Sequence, residues 1–313
     1  MLNSGMDQEH PMGVWGNGQP MHVYDKHQNK TAILHRNFSF AFDGFSLSVQ
    51  GCLTERERRA FDTMYTDLPG VLTESIAELD SLLELRSRMR ADAAGVAGRT
   101  GKPPRRSGKP DLKGKWFTER GEQLLHKIET PISMAVWNQL LSSDGSFMRD
   151  EQLRSDFFIC VMRQIWSSPS KRQVLDELLA RFRVGRTGAI SPDRMFPYFA
   201  YHQIAINSII MSSNLQYHLS FLRIPQDAGY RFIVTDNPII DLCEEQISAG
   251  AGETNRFLWV IAPTLAVIVT DRPGGKTRFV TEREATTYNT LLFRNANRYV
   301  MLDKDTDFLS GCC

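Results

Sequence analysis

The sequence predicts an α+β fold: an N-terminal β-hairpin, a central helical bundle, and a C-terminal, mostly antiparallel sheet with one late helix. Three observations lead there. Apolar residues recur at helical spacing through the middle of the chain, short β-branched runs dominate after His218, and no internal repeat is present.

Met21–Asp25 and Thr31–His35 are strand-like runs joined by a polar turn, which makes a hairpin. Thr54 and Glu57 form a capping box that opens a helix toward Met64. A second helix is expected from Thr73 to about Arg90, with Leu72, Ile76, Leu79 and Leu83 on one stripe. Composition then breaks at Gly95–Lys115, rich in Gly, Pro and basic residues. From Thr118 the helical period returns, with Leu125, Ile128, Ile132, Val136 and Leu140 on the buried side of a helix that Pro131 should kink. Leu153, Phe157, Val161 and Ile165 mark the next helix. Ser168-Pro169 and Ser191-Pro192 each supply a cap and a first-turn proline for a further helix, the second disturbed at Pro197 and reaching about Tyr217.

Beyond that point, runs at 218–224 and 230–234 flank the turn Pro225–Gly229 and should pair antiparallel. Strands are expected at 257–261, 265–270, 277–280 and 298–302, with a helix opened by the capping box Thr281/Glu284. The expected organisation is 1–94 (hairpin and helices), 95–117 (basic loop or linker) and 118–313 (bundle plus sheet).

With 313 residues and a formal net charge of +1, the chain can bury a large core and carries no global field toward an acidic partner. A nucleic-acid argument must therefore be local. The segment 99–120 holds eight Lys/Arg against two acids, a candidate phosphate-binding stretch, although solvated disorder is the favoured reading because no aromatics are interleaved. Five scattered cysteines without a CxxC pair favour a reducing compartment, and the polar stretch Met1–Pro20 does not read as a signal peptide. The cytosol is the expected location, with no membrane span.

The stretch Tyr230–Asp241 carries the strongest functional signal. A short apolar strand stops at Thr235-Asp236-Asn237-Pro238, which fixes a carboxylate and an amide at a strand end. A structural Asx turn is the competing reading. Glu129 lies in a polar column, with Glu122, His126 and Ser133, beside the apolar stripe of its helix.

Ile128-Glu129, the spaced set Gln164, Pro169 and Arg172, the run Phe232–Pro238, Ala262-Pro263, and Asn289 followed by Ala296 and Arg298-Tyr299-Val300 stand in this order. In that order they resemble a bacterial family of domains of unknown function, DUF4238, and His22–Asp25 is similar to the family's early strand. The resemblance covers roughly residues 120–302. Ser167 and Ser168 stand where the family usually has arginine. What it implies is a fold and a shared cluster of polar positions, with Glu129, Gln164, Asp236 and Asn289 converging in one pocket; the family has no assigned activity.

Two functional readings follow. In the first, the chain is a metal-dependent phosphodiesterase, a nuclease of the toxin or phage-defence kind. Glu129 and Asp236 would hold Mg²⁺ or Mn²⁺, Asn237 and Asn289 would orient groups beside them as catalytic residues, and Gln164 and Arg172 would hold substrate phosphate. The lysine of the PD-(D/E)xK nuclease pattern is missing. In the second, the chain is a non-enzymatic module that binds a ligand or a protein, and the polar cluster is structural. A serine-hydrolase elbow and a dinucleotide-binding glycine fingerprint are both absent from the sequence.

Overall fold

The computed structural model describes residues 21–34, 53–65, 69, 72–85, 119–129, 132–166, 170–181, 192–242, 255–270 and 276–302. The chain divides into two compact units. The first comprises Met1–Gly44, Pro131–Ser168 and Ile210–Cys313; the second comprises Phe45–Thr130 and Pro169–Ile209.

Among the described residues, the first unit holds two sheets. One has the order β2-β1-β9-β4, built from Lys30–Leu34, Met21–Asp25, Tyr299–Leu302 and Val234–Thr235. The other has the order β5-β6-β7-β3-β8, from Ile239–Asp241, Asn255–Ala262, Leu265–Thr270, His218–Arg223 and Thr277–Phe279. Every pairing is antiparallel except β3 with β8. The expected α+β class and the late helix, α8 (Glu282–Asn295), are both present.

Alternation along these strands serves two apolar faces. Leu222, Ile240, Leu258, Val260, Ala266 and Ile268 share a core with Ala285, Leu291 and Leu292 of α8 and with Val23, Tyr24 and Val300 of the smaller sheet. Residues of opposite parity meet the helices α4 (Met134–Leu141) and α5 (Glu151–Trp166), where Trp259 lies 6.3 Å from both Trp137 and Phe157 between ring centroids. Burial on both faces explains why β7 is buried at every position. Arg154 of α5, itself buried, donates to Met148 C=O at 2.8 Å and Ser212 C=O at 2.7 Å, which satisfies carbonyls at two helix ends.

The second unit is helical: α1 (Glu55–Met64), α2 (72–85), α3 (Glu119–Glu129), α6 (Ser170–Arg181) and α7 (Pro192–Ser213) up to Ile209. Leu72, Ile76 and Ile206 pack together in it. Both halves of the capping box at Thr54 and Glu57 form, with Thr54 N–H to Glu57 Oε2 at 2.8 Å. Arg172 of α6 pairs with Asp193 of α7.

Three expectations change. The helix expected to bend at Pro131 is two helices, because Ser133 takes an extended conformation and caps α4 through Val136 N–H. The run 230–234 does not pair with β3, whose neighbours are β7 and β8; residues 231–233 lie outside any ladder. The long helix ends at Ser213, where Asn214 opens a turn by accepting from Gln216 N–H at 3.0 Å, and β3 starts at His218. The Ser168-Pro169 cap and almost all of the basic segment 99–120 fall outside the described residues.

The second capping box, at α8, supports a testable statement. Thr281 N–H donates to Glu284 Oε2 at 2.8 Å, and this bond, opposed by desolvation and helped by Arg278, holds the Glu284 carboxyl below its ordinary value. A carboxyl depressed in the folded state stabilises above its unfolded value and loses that contribution as pH falls through the folded one. Glu284→Gln is expected to cost about 0.5–1 kcal/mol at neutral pH, a small figure because the site is partly exposed. The difference from the parent should shrink in urea melts as pH drops below the ordinary carboxylate range. A pH-independent difference would refute the assignment.

Candidate functional site

The Thr235–Pro238 box is the place where the chain leaves one sheet for the other: Thr235 pairs with Val300 in β9, and Ile239 pairs with Trp259 in β6. Each residue type answers a need of that crossing. The fully buried Thr235 hydroxyl donates to Asn237 C=O at 2.8 Å and accepts from Asn237 N–H at 3.2 Å, so the turn closes on itself. Asn237 Nδ2 reaches Asn295 C=O at 3.4 Å, near the end of α8. Pro238 has no N–H to leave unpaired as β5 begins.

Asp236 ties the crossing to the turn that follows α8. Its Oδ1 accepts from Asn297 N–H at 2.9 Å, and its Oδ2 accepts from the N–H groups of Arg298 at 2.8 Å and Tyr299 at 3.2 Å. Its own N–H donates to Tyr299 C=O at 3.1 Å. A carboxylate offers about four lone-pair positions, so most of its capacity is committed to backbone.

Asn289, buried on α8, plays a comparable part for the stretch without a ladder. Its Oδ1 accepts from Ile233 N–H at 2.9 Å and its Nδ2 donates to Arg231 C=O at 2.7 Å. The amide imitates a peptide group on a neighbouring strand. Phe232 N–H is taken by Pro263 C=O at 2.8 Å, so three backbone groups of 231–233 are bonded without a paired strand.

Residues that sequence reasoning missed complete the cluster. Lys26 donates to Phe293 C=O at 2.8 Å and Ala296 C=O at 2.7 Å and lies 4.9 Å from the Phe293 ring centroid, a cation at the negative end of α8. Burial pulls its ammonium below the ordinary value, and the Asp236 charge opposes that shift. Arg298 donates through Nε at 3.0 Å and through a terminal nitrogen at 2.8 Å to Asp25 Oδ2, and these bonds hold the Asp25 carboxyl below its usual range. The signal was the pair Asp25-Lys26 at the end of a strand, hidden by its resemblance to an ordinary polar turn.

The remaining candidates are carried by other elements. Gln164 is half-buried near the end of α5, in the first unit, and among the described residues no hydrogen bond links it to Asp236 or Asn289. Glu129 and Arg172 belong to the second unit, where Glu129 Oε1 accepts from Tyr201 O–H at 2.9 Å. Among the described residues, no three His, Cys, Asp or Glu side chains gather as a metal site.

The second unit also pairs a buried histidine with a half-buried carboxylate. His202 Nε2 lies 2.6 Å from Asp80 Oδ1, with the Phe61 and Tyr65 rings edge-on to the imidazole at 5.2 Å. His202 is fully buried and its Nδ1 has no hydrogen-bond partner, so the ring is assigned as Nε2–H donating to the carboxylate with a bare acceptor behind. Burial drives the Tyr65 phenol well above its ordinary value, and in the first unit it pushes the Cys160 thiol up to about 11, too high for a thiolate nucleophile at neutral pH. No family model, no curated protein and no solved structure matches this chain. Among the described residues, no helix is long and apolar enough to cross a membrane.

Proposed function

We propose that the chain is a non-enzymatic ligand- or protein-binding module whose polar cluster serves the fold. One observation supports this reading above the phosphodiesterase: the Asp236 carboxylate receives three backbone N–H groups on its two oxygens. A hard cation at Asp236 would compete with those amides for the same lone pairs. Asn289 supports the reading too, since both ends of its amide are engaged by backbone of the sheet side.

Thermal melts of the parent and of Asp236→Asn in Mg²⁺, Mn²⁺ and EDTA, run beside cleavage assays on DNA and RNA, separate the readings. The module predicts that neither protein responds to the ions and that neither cleaves. A metal site loaded a hundredfold above its dissociation constant would add about 2.7 kcal/mol to the parent. Such stabilisation, lost in Asp236→Asn together with cleavage, would overturn the proposal in favour of the nuclease.

A further inference from the structure

The turn after α8 presents consecutive backbone N–H groups, of Asn297, Arg298 and Tyr299, to a single carboxylate at 2.8–3.2 Å. Converging amides of this kind form an anion-binding concavity. Lys26 adjoins the turn, its N–H bonded to Arg298 C=O at 2.8 Å, and its ammonium protons are held by Phe293 and Ala296 C=O. The Arg298 guanidinium is turned away to Asp25. The concavity is also held open by contacts that do not involve the Asp236 carboxyl. Asp236 N–H is bonded to Tyr299 C=O, and β4 pairs with β9 at Val234↔Met301 and Thr235↔Val300.

We propose that the Asn297–Tyr299 turn is a carboxylate receptor whose resident ligand is the Asp236 side chain, and that it takes a free small carboxylate once that side chain is cut back. The inference rests on the same three bonds that favour the module reading, but its test reads formate binding and not metal response, so the two can fail separately. Truncation to alanine deletes the carboxyl and keeps Cβ, so formate restores the missing group. The receptor is preorganised, so the anion does not have to order the turn.

The test is the thermal midpoint of Asp236→Ala in sodium formate against sodium chloride at equal ionic strength. Formate is expected to raise it saturably, by about 3–6 °C at a concentration roughly tenfold above its dissociation constant. Amide resonances of Asn297, Arg298 and Tyr299 should titrate with the same midpoint. The parent and Asp236→Asn, in which the receptor stays filled, should respond to formate only as they do to chloride. An equal effect of chloride on Asp236→Ala, or an equal effect of formate on the parent, would overturn the proposal. Should Asp236→Ala fail to fold in chloride, refolding yield becomes the readout. Yield restored by formate supports the receptor, and equal yields in the two salts reject it.

Discussion

Asp236→Ala is expected to lose about 2–4 kcal/mol of stability, among the largest effects of any single change at the cluster. The argument starts from the three N–H groups that its carboxylate receives. Hydrogen bonds to a charged group contribute about 1.5–3 kcal/mol each, but they are not additive, and water reaches part of this half-buried turn. Water can therefore take over some of the lost bonds, which holds the total well below three times the single-bond value. Asp236→Asn keeps one acceptor and should lose only about 1–2 kcal/mol. Urea unfolding of the two variants measures both numbers, and hydrogen exchange at Asn297, Arg298 and Tyr299 reports where the loss falls. A change under about 0.5 kcal/mol for the alanine variant, inside the range of neutral surface substitutions, would sink the structural account of Asp236.

The fold was more legible than the site because periodicity reports burial, and burial is what most elements here are built from. Leu265–Thr270 and the α5 stripe at Leu153, Phe157, Val161 and Ile165 were readable without any partner in view. Both capping boxes were readable for a related reason: their bonds join residues three apart. The failures share the opposite property. Residues 230–234 look like a strand, but Arg231 C=O, Phe232 N–H and Ile233 N–H bond to Asn289 and Pro263, both distant in sequence. Pairing of β3 with β7 and β8 depends on long-range register that a turn at Pro225–Gly229 does not determine. Arg231 instead spends its guanidinium inside that turn, on the carbonyls of Gln226, Ala228 and Tyr230.

Asp236, Asn237 and Asn289 were legible as positions and not as chemistry. A carboxylate at a strand end and an asparagine on an apolar helix face are what a metal site needs, and they are equally what an irregular backbone needs. Sequence cannot separate the two, because the deciding partners are main-chain groups that every residue possesses. In this protein Asp236 meets the amides of a turn sixty-odd residues on, and Asn289 meets 231–233 across a comparable span. Lys26 caps α8 from the other end of the chain altogether.

Asn289→Ala should cost about 2–4 kcal/mol, for a reason different from the Asp236 case. Here the site is dry: Asn289 is 4 % exposed, and Phe232 and Ile233 beside it are 1 % and 3 % exposed. Truncation leaves the buried Ile233 N–H without its partner, at about 1–3 kcal/mol, and takes the Asn289 donor from the half-buried Arg231 C=O, which adds a smaller loss. Leucine, similar in volume, fills the space but supplies no polar atom, so Asn289→Leu should be no better than alanine by more than the transfer gain of its methyl groups. Asn289→Asp is the discriminating variant. It keeps an acceptor for Ile233 N–H, yet it turns an acceptor toward Arg231 C=O and buries a charge, so it should lose at least as much as alanine at neutral pH and recover part of the loss in acid, where the protonated carboxyl can donate. Urea melts of the three variants at neutral and acid pH, with exchange of the Ile233 amide followed in parallel, test this ordering. An aspartate variant as stable as the parent at neutral pH would mean that the Arg231 carbonyl does not need its donor, and the peptide-mimic role of Asn289 would fall.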